Sequence, residues 1–151
     1  MRKAMLFLAV FGLAGLLFAA DAFVGTWKQN VAKSKLANPP PNSQVLVFTA
    51  QENGLKLLAD GENANGTTFH VEFTAKFDGK DYPLTGSSDG DTIAIEKIDA
   101  NTFTERFKKA GKEVLNAHLV VSKDGKTLTR TINRKDATGK EVTNIAVFDK
   151  Q

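Results

Sequence analysis

Apolar and polar residues alternate with a period of two along most of the chain after Ser43. The segment 67–77 is the clearest case, because its apolar residues fall on one face of an extended strand: Phe69, Val71, Phe73, Ala75 and Phe77. The polar residues between them fall on the opposite face. No window of helical length shows a comparable helical period. The pattern therefore predicts an all-β chain.

Short turn signals separate the strand-like segments. Asn-Gly and Asp-Gly pairs, among them Asn53-Gly54, Asp60-Gly61 and Asp124-Gly125, supply the positive φ angles that tight hairpins require. About nine strands are predicted between these signals. They are residues 23–28, 44–52, 55–60, 67–77, 91–99, 101–110, 112–122, 126–134 and 141–149.

Strands joined by such short turns pair with their neighbours in sequence. An antiparallel meander of this size buries one face and removes its open edges by curling into a closed cylinder. The sequence therefore predicts a single antiparallel up-and-down β-barrel of about 8–10 strands. A two-sheet sandwich is the alternative, but its crossover connections are longer than the turns found here.

Two segments break the regular spacing of strands. Residues 31–43 contain Pro39, Pro40 and Pro41, which donate no backbone hydrogen bonds and favour an extended loop. A single helical turn is expected within 31–36. Residues 82–86 contain the sole tyrosine, Tyr82, and are interpreted as a loop that this side chain anchors onto the barrel.

Residues 1–22 have the pattern of a secretory signal peptide. Arg2 and Lys3 precede an almost unbroken apolar run over 4–18, and Ala20 and Ala22 fit a cleavage site. A membrane anchor is the alternative, but the run is short for a membrane span and no basic flank follows it. We predict a signal peptide over 1–22, a barrel domain over 23–151, and a secreted or periplasmic location.

Composition excludes several classes of protein. The chain has no cysteine, which excludes disulfides, thiolate metal sites and a cysteine nucleophile. Cleavage after Ala20 removes two of the 20 Lys and Arg, so 18 stand against 17 Asp and Glu and the net charge of the rest is near +1; cleavage after Ala22 also removes Asp21. These charges are interspersed, so no nucleic-acid partner is expected.

An outer-membrane barrel is the alternative for alternating strands, but one Trp and one Tyr cannot form its aromatic girdles. We expect a monomer with no stable membrane insertion after signal cleavage.

The more apolar face of each predicted strand is taken as the inside of the barrel. This face comprises Phe23, Trp27, Phe69, Val71, Phe73, Phe77, Ile93, Ile95, Phe103, Phe107, Leu115, Leu119, Val121, Leu128 and Ile132. A barrel of this strand number encloses either packed side chains or one small ligand. An aromatic lining suits an apolar ligand. A filled core without a ligand is the alternative.

The same face assignment places two charges inside the barrel. Glu105 lies between Phe103 and Phe107, and Arg130 lies two residues after Leu128. A charge in an apolar interior is costly unless it is paired or wetted. The two residues therefore either pair with each other or line a cavity and bind the polar head of a ligand. The third possibility is that Thr102, Thr104 and Arg106 form the true inner face of that strand.

The segment Phe23-Val24-Gly25-Thr26-Trp27-Lys28 resembles the opening strand of the lipocalin and fatty-acid-binding-protein (calycin) superfamily. In that superfamily a Gly-x-Trp motif begins the barrel and the tryptophan plugs its closed end. The resemblance implies a lipocalin-like barrel that carries small apolar molecules. Residues 31–43 are too short and proline-rich for the helix-turn-helix lid of the fatty-acid-binding proteins. Ala146 and Phe148 stand where those proteins have an Arg-x-Tyr anchor for a carboxylate, so a fatty acid is not implied.

Catalytic chemistry finds little support in the sequence. His70 and His118 fall on faces predicted to point outward and are far apart along the chain, so neither a metal site nor a catalytic triad is expected. Asp89-Gly90-Asp91 lacks the spacing and the closing glutamate of an EF-hand and is interpreted as a solvated turn. We expect no cofactor and no enzymatic activity.

The resulting hypothesis is a secreted or periplasmic lipocalin-like protein that binds a small apolar ligand inside the barrel. The candidate ligand-binding residues are Trp27, Phe69, Phe73, Phe103, Glu105, Phe107 and Arg130. The alternative is a ligand-free, filled barrel that works through its surface as an interaction or envelope-stress module. An enzyme built on the barrel is a third hypothesis, for which Glu105 is the one candidate acid or base.

Overall fold

The computed structural model describes residues 22–36 and 39–151. All of the predicted signal peptide except Ala22 lies outside these described residues. Ten strands follow one another: β1 (Gly25–Gln29), β2 (Ser43–Gln51), β3 (Gly54–Glu62), β4 (Thr68–Lys76), β5 (Tyr82–Thr85), β6 (Thr92–Asp99), β7 (Thr102–Lys109), β8 (Lys112–Val121), β9 (Thr127–Lys135) and β10 (Glu141–Lys150). A single turn of 3₁₀ helix, Val31–Lys33, lies between β1 and β2. In the part of the chain so described, no helix is long and apolar enough to cross a membrane.

Every strand pairs antiparallel with the next, and β1 pairs with β10, so the sheet closes on itself. At the closure, Trp27 lies opposite Lys150 and Gln29 lies opposite Phe148. The predicted up-and-down barrel is thereby confirmed, and its ten strands lie within the predicted range. Closure also rules out the two-sheet sandwich, because that fold keeps open edges.

Strand β5 corrects the interpretation of residues 82–86 as a loop. Only two pairs of residues join β5 to β4, and two more join it to β6. Its brevity and Pro83, which has no N–H to donate to a ladder, hide the strand in the sequence. Tyr82 nonetheless holds the preceding turn, because its hydroxyl donates a 2.7 Å hydrogen bond to Asp78.

The Asp60-Gly61 pair was predicted to be a turn, and this prediction is wrong. Gly61 lies within β3, opposite Gln44 on one side and Phe69 on the other. A Cβ at this position would collide with the ring of Phe69 and the carbonyl oxygen of Ser43. The glycine therefore allows Phe69 to lie across the strand, and the hairpin turn comes later, at residues 63–67.

One half of the barrel interior is filled by aromatic side chains. The rings of Phe23 and Phe103 meet edge to face with centroids 4.6 Å apart, and Phe48 and Phe77 pack on Phe103 at 6.2 and 5.6 Å. Trp27 is fully buried beside them, and its Nε1–H donates a 2.8 Å hydrogen bond to the carbonyl oxygen of Phe23. We call this half, with the β2–β3, β6–β7 and β8–β9 turns around it, the packed end.

Candidate functional site

The other half of the barrel encloses a cavity of about 700 Å³. Its wall is mostly apolar and is formed by residues of strands β2 to β5 and β7 to β10, whose side chains point inward because of the strand period. The apolar side chains of this wall are Leu46, Leu57, Ala59, Phe69, Val71, Phe73, Leu84, Phe107, Leu115, Leu119 and Ile132. The apolar wall of the cavity is thus formed by the same face of the sheet that fills the packed end.

The cavity reaches the surface at the end opposite to the packed end. There its lining includes exposed residues of the β3–β4 turn (63–65), the β5–β6 loop (86–89), and Pro39. We call this opening the mouth. An ion pair of 3.4 Å between Arg134 Nη1 and Asp89 Oδ1 joins β9 to the β5–β6 loop beside it.

A second cavity of about 180 Å³ lies beside the first, under Pro39, Pro40 and Pro41. The two cavities share polar residues of three strands, namely Gln44 of β2, Arg130 and Arg134 of β9, and Asn144 of β10. Polar side chains therefore gather on the wall nearest the barrel closure, whereas the wall formed by β3, β4 and β5 is apolar.

Glu105 and Arg130 form an ion pair on this cavity wall. Arg130 donates hydrogen bonds from Nη2 and Nε to the same oxygen, Glu105 Oε2, at 2.7 and 3.0 Å. The two residues lie on β7 and β9, on either side of β8, where the fully buried Ala117 lies opposite Glu105. Leu119 of β8 lies opposite Arg130, so the arginine side chain runs diagonally across β8, past the small methyl group of Ala117, to reach the carboxylate.

Of the three sequence hypotheses for these two charges, the structure shows the one in which Glu105 and Arg130 pair with each other. Glu105 is completely buried, while Arg106, on the other face of β7, lies outside the barrel and binds Glu96 at 2.7 Å. The face assignment for β7 is therefore correct. Arg130 keeps 17% of its side chain exposed, and its guanidinium carbon lies 5.5 Å from the centroid of the Phe107 ring.

One oxygen of the pair has no partner. Glu105 Oε1 is buried and accepts no hydrogen bond, although Oε2 accepts two. The side chains around it offer no donor, because Ile95 and Ala117 lie opposite Glu105 on the neighbouring strands, and Phe103 and Phe107 flank it on its own face. Glu105 also belongs to the lining of the cavity, which is the one open space beside it that the described residues leave.

The structure separates the predicted ligand-binding residues into two groups. Phe69, Phe73, Glu105, Phe107 and Arg130 line the cavity together. Trp27 and Phe103 lie in the packed end and are absent from the cavity lining. Their contact with a ligand stays a prediction of the sequence. Phe103 packs on other phenylalanine rings, and Trp27 bonds to the carbonyl oxygen of Phe23 and has Lys150 Nζ 4.9 Å from its ring.

Sequence reasoning missed the lining residues of β2, β3 and β10. Leu57 and Ala59 point into the cavity, but Leu58 beside them is also apolar, so alternation does not distinguish the two faces of β3. The same ambiguity holds for β10, where Ile145 and Val147 face outward. Ile145 forms a bridge with Lys35 of the segment that follows the 3₁₀ turn, which accounts for apolar residues on the outside.

The titratable residues outside the cavity form local surface contacts. His70 Nδ1 lies 2.6 Å from Asp60 Oδ1 on the outer face, and both side chains are exposed. The hydrogen bond from Tyr82 lowers the pKa of Asp78, and the same bond raises the pKa of Tyr82. Among residues 22–36 and 39–151, no group of three or more His, Cys, Asp or Glu is placed to hold a metal ion.

The closed ten-stranded antiparallel barrel, packed at one end and hollow at the other, has the calycin fold. The structure is similar to the crystal structure of zebrafish ileal bile acid-binding protein complexed with cholic acid, with a TM-score of 0.58 and 14% sequence identity. The match covers 86% of this chain and 99% of the zebrafish chain. No protein-family model matches the sequence, and no curated protein matches it. The similarity is therefore one of fold.

Proposed function

We propose that this protein binds a small, largely apolar molecule in the barrel cavity, and that it does so as a secreted or periplasmic monomer. The observation that carries the proposal is the cavity of about 700 Å³ with its apolar wall. Pockets for small molecules typically span roughly 300–1,000 Å³. Protein interiors are otherwise filled to crystal-like density, so a void of this size is not a packing defect.

The division of the interior supports binding over the alternative of a filled barrel. A filled barrel would continue the aromatic packing of Phe23, Phe48 and Phe103 towards the mouth. Instead, the inward side chains of β3 and β5 are small or aliphatic, such as Ala59 and Leu84, and leave the space open. The zebrafish protein of the same fold is described as complexed with cholic acid, which supports a ligand in such a barrel.

We propose binding without covalent chemistry. Among the described residues that line the cavity, Glu105 is the one acidic side chain on its inner wall, and its Oε2 is engaged with Arg130. Asp89 also lines the cavity, but at the mouth, where it pairs with Arg134. In residues 22–36 and 39–151, the other side chain at Glu105 is the arginine that it pairs with, and no second carboxyl or imidazole of the cavity's inner wall stands there to complete an acid and base pair of the kind that hydrolysis requires.

The uncharged fluorescent probe N-phenyl-1-naphthylamine tests the proposal. We expect stoichiometric binding with a rise in fluorescence, because the probe leaves water for an apolar cavity. Ala59→Phe places a ring inside the cavity and should weaken probe binding about tenfold or more. Val120→Phe is the matched control, because Val120 is 43% exposed on the outside of β8. Equal affinity for wild type and both variants would place the probe outside the barrel.

Native mass spectrometry of the protein purified from its own host tests both the ligand and the location. We expect a chain that begins at Asp21 or Phe23, as signal cleavage after Ala20 or Ala22 requires. A bound apolar molecule should add a second mass, which tandem analysis identifies. A chain that retains residues 1–20 and is recovered from the cytoplasm would contradict the proposed location.

A further inference from the structure

The unpaired oxygen of Glu105 points to the chemistry of the ligand. An acceptor buried without a partner costs on the order of 1–3 kcal/mol, and more when it is charged. Glu105 lines the cavity, its side chain is completely buried, and Oε1 accepts no hydrogen bond. A donor that fills the cavity removes this cost.

We infer that the bound molecule carries a neutral hydrogen-bond donor, a hydroxyl or an amide N–H, which Glu105 Oε1 accepts at the inner wall of the cavity. This inference rests on the proposed function and adds the class of head group to it. Because Oε1 has no exposed surface, the carboxylate must turn slightly to meet the donor. The terminal torsion of a glutamate side chain is broad enough for this turn, and the long side chain of Arg130 follows Oε2 as it moves.

A carboxylate head group does not suit this position. The charge of Arg130 is already matched by Glu105 at 2.7 Å, so a second carboxylate there meets an ionised oxygen without a free cation. An ether or ester head group does not suit it either, because such groups accept hydrogen bonds and donate none. Only a donor satisfies Oε1.

A water molecule inside the cavity does not weaken the inference. Water in a polar pocket donates to the groups that lack partners. A ligand that displaces such a water loses affinity unless its own groups reproduce the hydrogen bond. The preference for a donor therefore holds whether Oε1 is wetted or dry before the ligand enters.

A head-group series on the wild-type protein tests this directly, by displacement of N-phenyl-1-naphthylamine. The three competitors are dodecan-1-ol, its methyl ether and dodecanoate, which share one chain length. We expect the alcohol to bind about tenfold or more tightly than the ether and the carboxylate. Equal affinities for alcohol and ether, or tighter binding of dodecanoate, would overturn the inference.

The variant Glu105→Gln should change the order in which the three competitors bind, and not only the strength with which each of them binds. The amide oxygen of glutamine keeps the hydrogen bonds of Arg130, and its NH₂ becomes a donor to the cavity. We expect the ratio of alcohol to ether affinity to fall to about one, because an ether satisfies that donor as well as an alcohol does. Dodecanoate should gain affinity, since Arg130 is no longer neutralised.

The control variant is Glu96→Gln, which makes the same change in an Arg-paired glutamate on the outside of the barrel. It should leave the wild-type ranking unchanged, and a shift in ranking there would overturn the assignment to Glu105. If Glu105→Gln does not fold, the wild-type series alone decides the inference. Failure of all three competitors and of the probe would instead contradict the proposed function, so the two failures are distinguishable.

Discussion

At the scale of single residues, the polar wall of the cavity depends on how Glu105, Ala117 and Arg130 are placed relative to one another. The sequence places both charges inside the barrel, because alternation assigns the faces of β7 and β9. Their pairing could not be predicted, since it depends on a strand between them that carries a methyl group at the crossing point. The alignment of β7, β8 and β9 relative to one another is a property of the three strands together, and the sequence of any one of them does not reveal it.

The Glu105–Arg130 pair allows a stability prediction. Arg130→Met leaves Glu105 buried and unpaired, and should lower the free energy of unfolding by about 3–5 kcal/mol. Glu105→Leu combined with Arg130→Met removes both charges and should recover most of that loss. Urea unfolding followed by tryptophan fluorescence measures both, because Trp27 is buried in the packed end.

The exposed pair of Arg106 and Glu96 provides the control for that cycle. Arg106→Met removes an arginine from a surface ion pair, which contributes under about 1 kcal/mol. A double variant as unstable as Arg130→Met alone would show that the loss comes from packing of the arginine side chain on Phe107 and not from the unpaired charge.

At the scale of elements, the loops of the mouth were the hardest part to predict. The alternating segments that became β4, β7 and β8 were identified because each has one apolar and one polar face. Strand β5 was not, because four residues with a proline are too few to show a period. The loop that follows β5 forms one side of the mouth, so sequence reasoning found the aromatic lining of the cavity but not its opening.

The β5–β6 loop starts at Gly86, and this position allows a prediction about how the mouth is held. Gly86 has φ +78° and its backbone passes against the carbonyl oxygen of His70, so an added Cβ meets both strain and a collision. Gly66 in the β3–β4 turn has φ +83° with open space around it. Gly66→Ala should therefore cost only the left-handed strain, about 1–2 kcal/mol.

Gly86→Ala should cost about 1–3 kcal/mol more than Gly66→Ala, because the collision with β4 adds to the same strain. The difference between the urea unfolding midpoints of the two variants measures this additional loss of stability. Equal midpoints would mean that the β5–β6 loop moves away from β4 without loss, and that the close approach of Gly86 does not fix the mouth.

At the scale of the whole molecule, the fold followed from the sequence more fully than the site did. Period-two alternation and short turns determine a closed meander, and the Gly-x-Trp start resembles one superfamily of such barrels. The cavity depends instead on which inward positions are small and which are aromatic. The sequence does not tell at which end of the barrel an inward residue such as Phe48 or Ala59 lies. The register places Phe48 in the packed end and Ala59 in the cavity.

The barrel closure has a consequence for how the molecule is held. Phe23 is in the packed end, and the backbone N–H of Gln151 donates a 3.0 Å hydrogen bond to the carbonyl oxygen of Thr26 at the start of β1. Both ends of the barrel domain therefore emerge on the side opposite to the mouth. A bead, a sensor surface or a fused carrier that is attached through either end therefore leaves the mouth facing the solution.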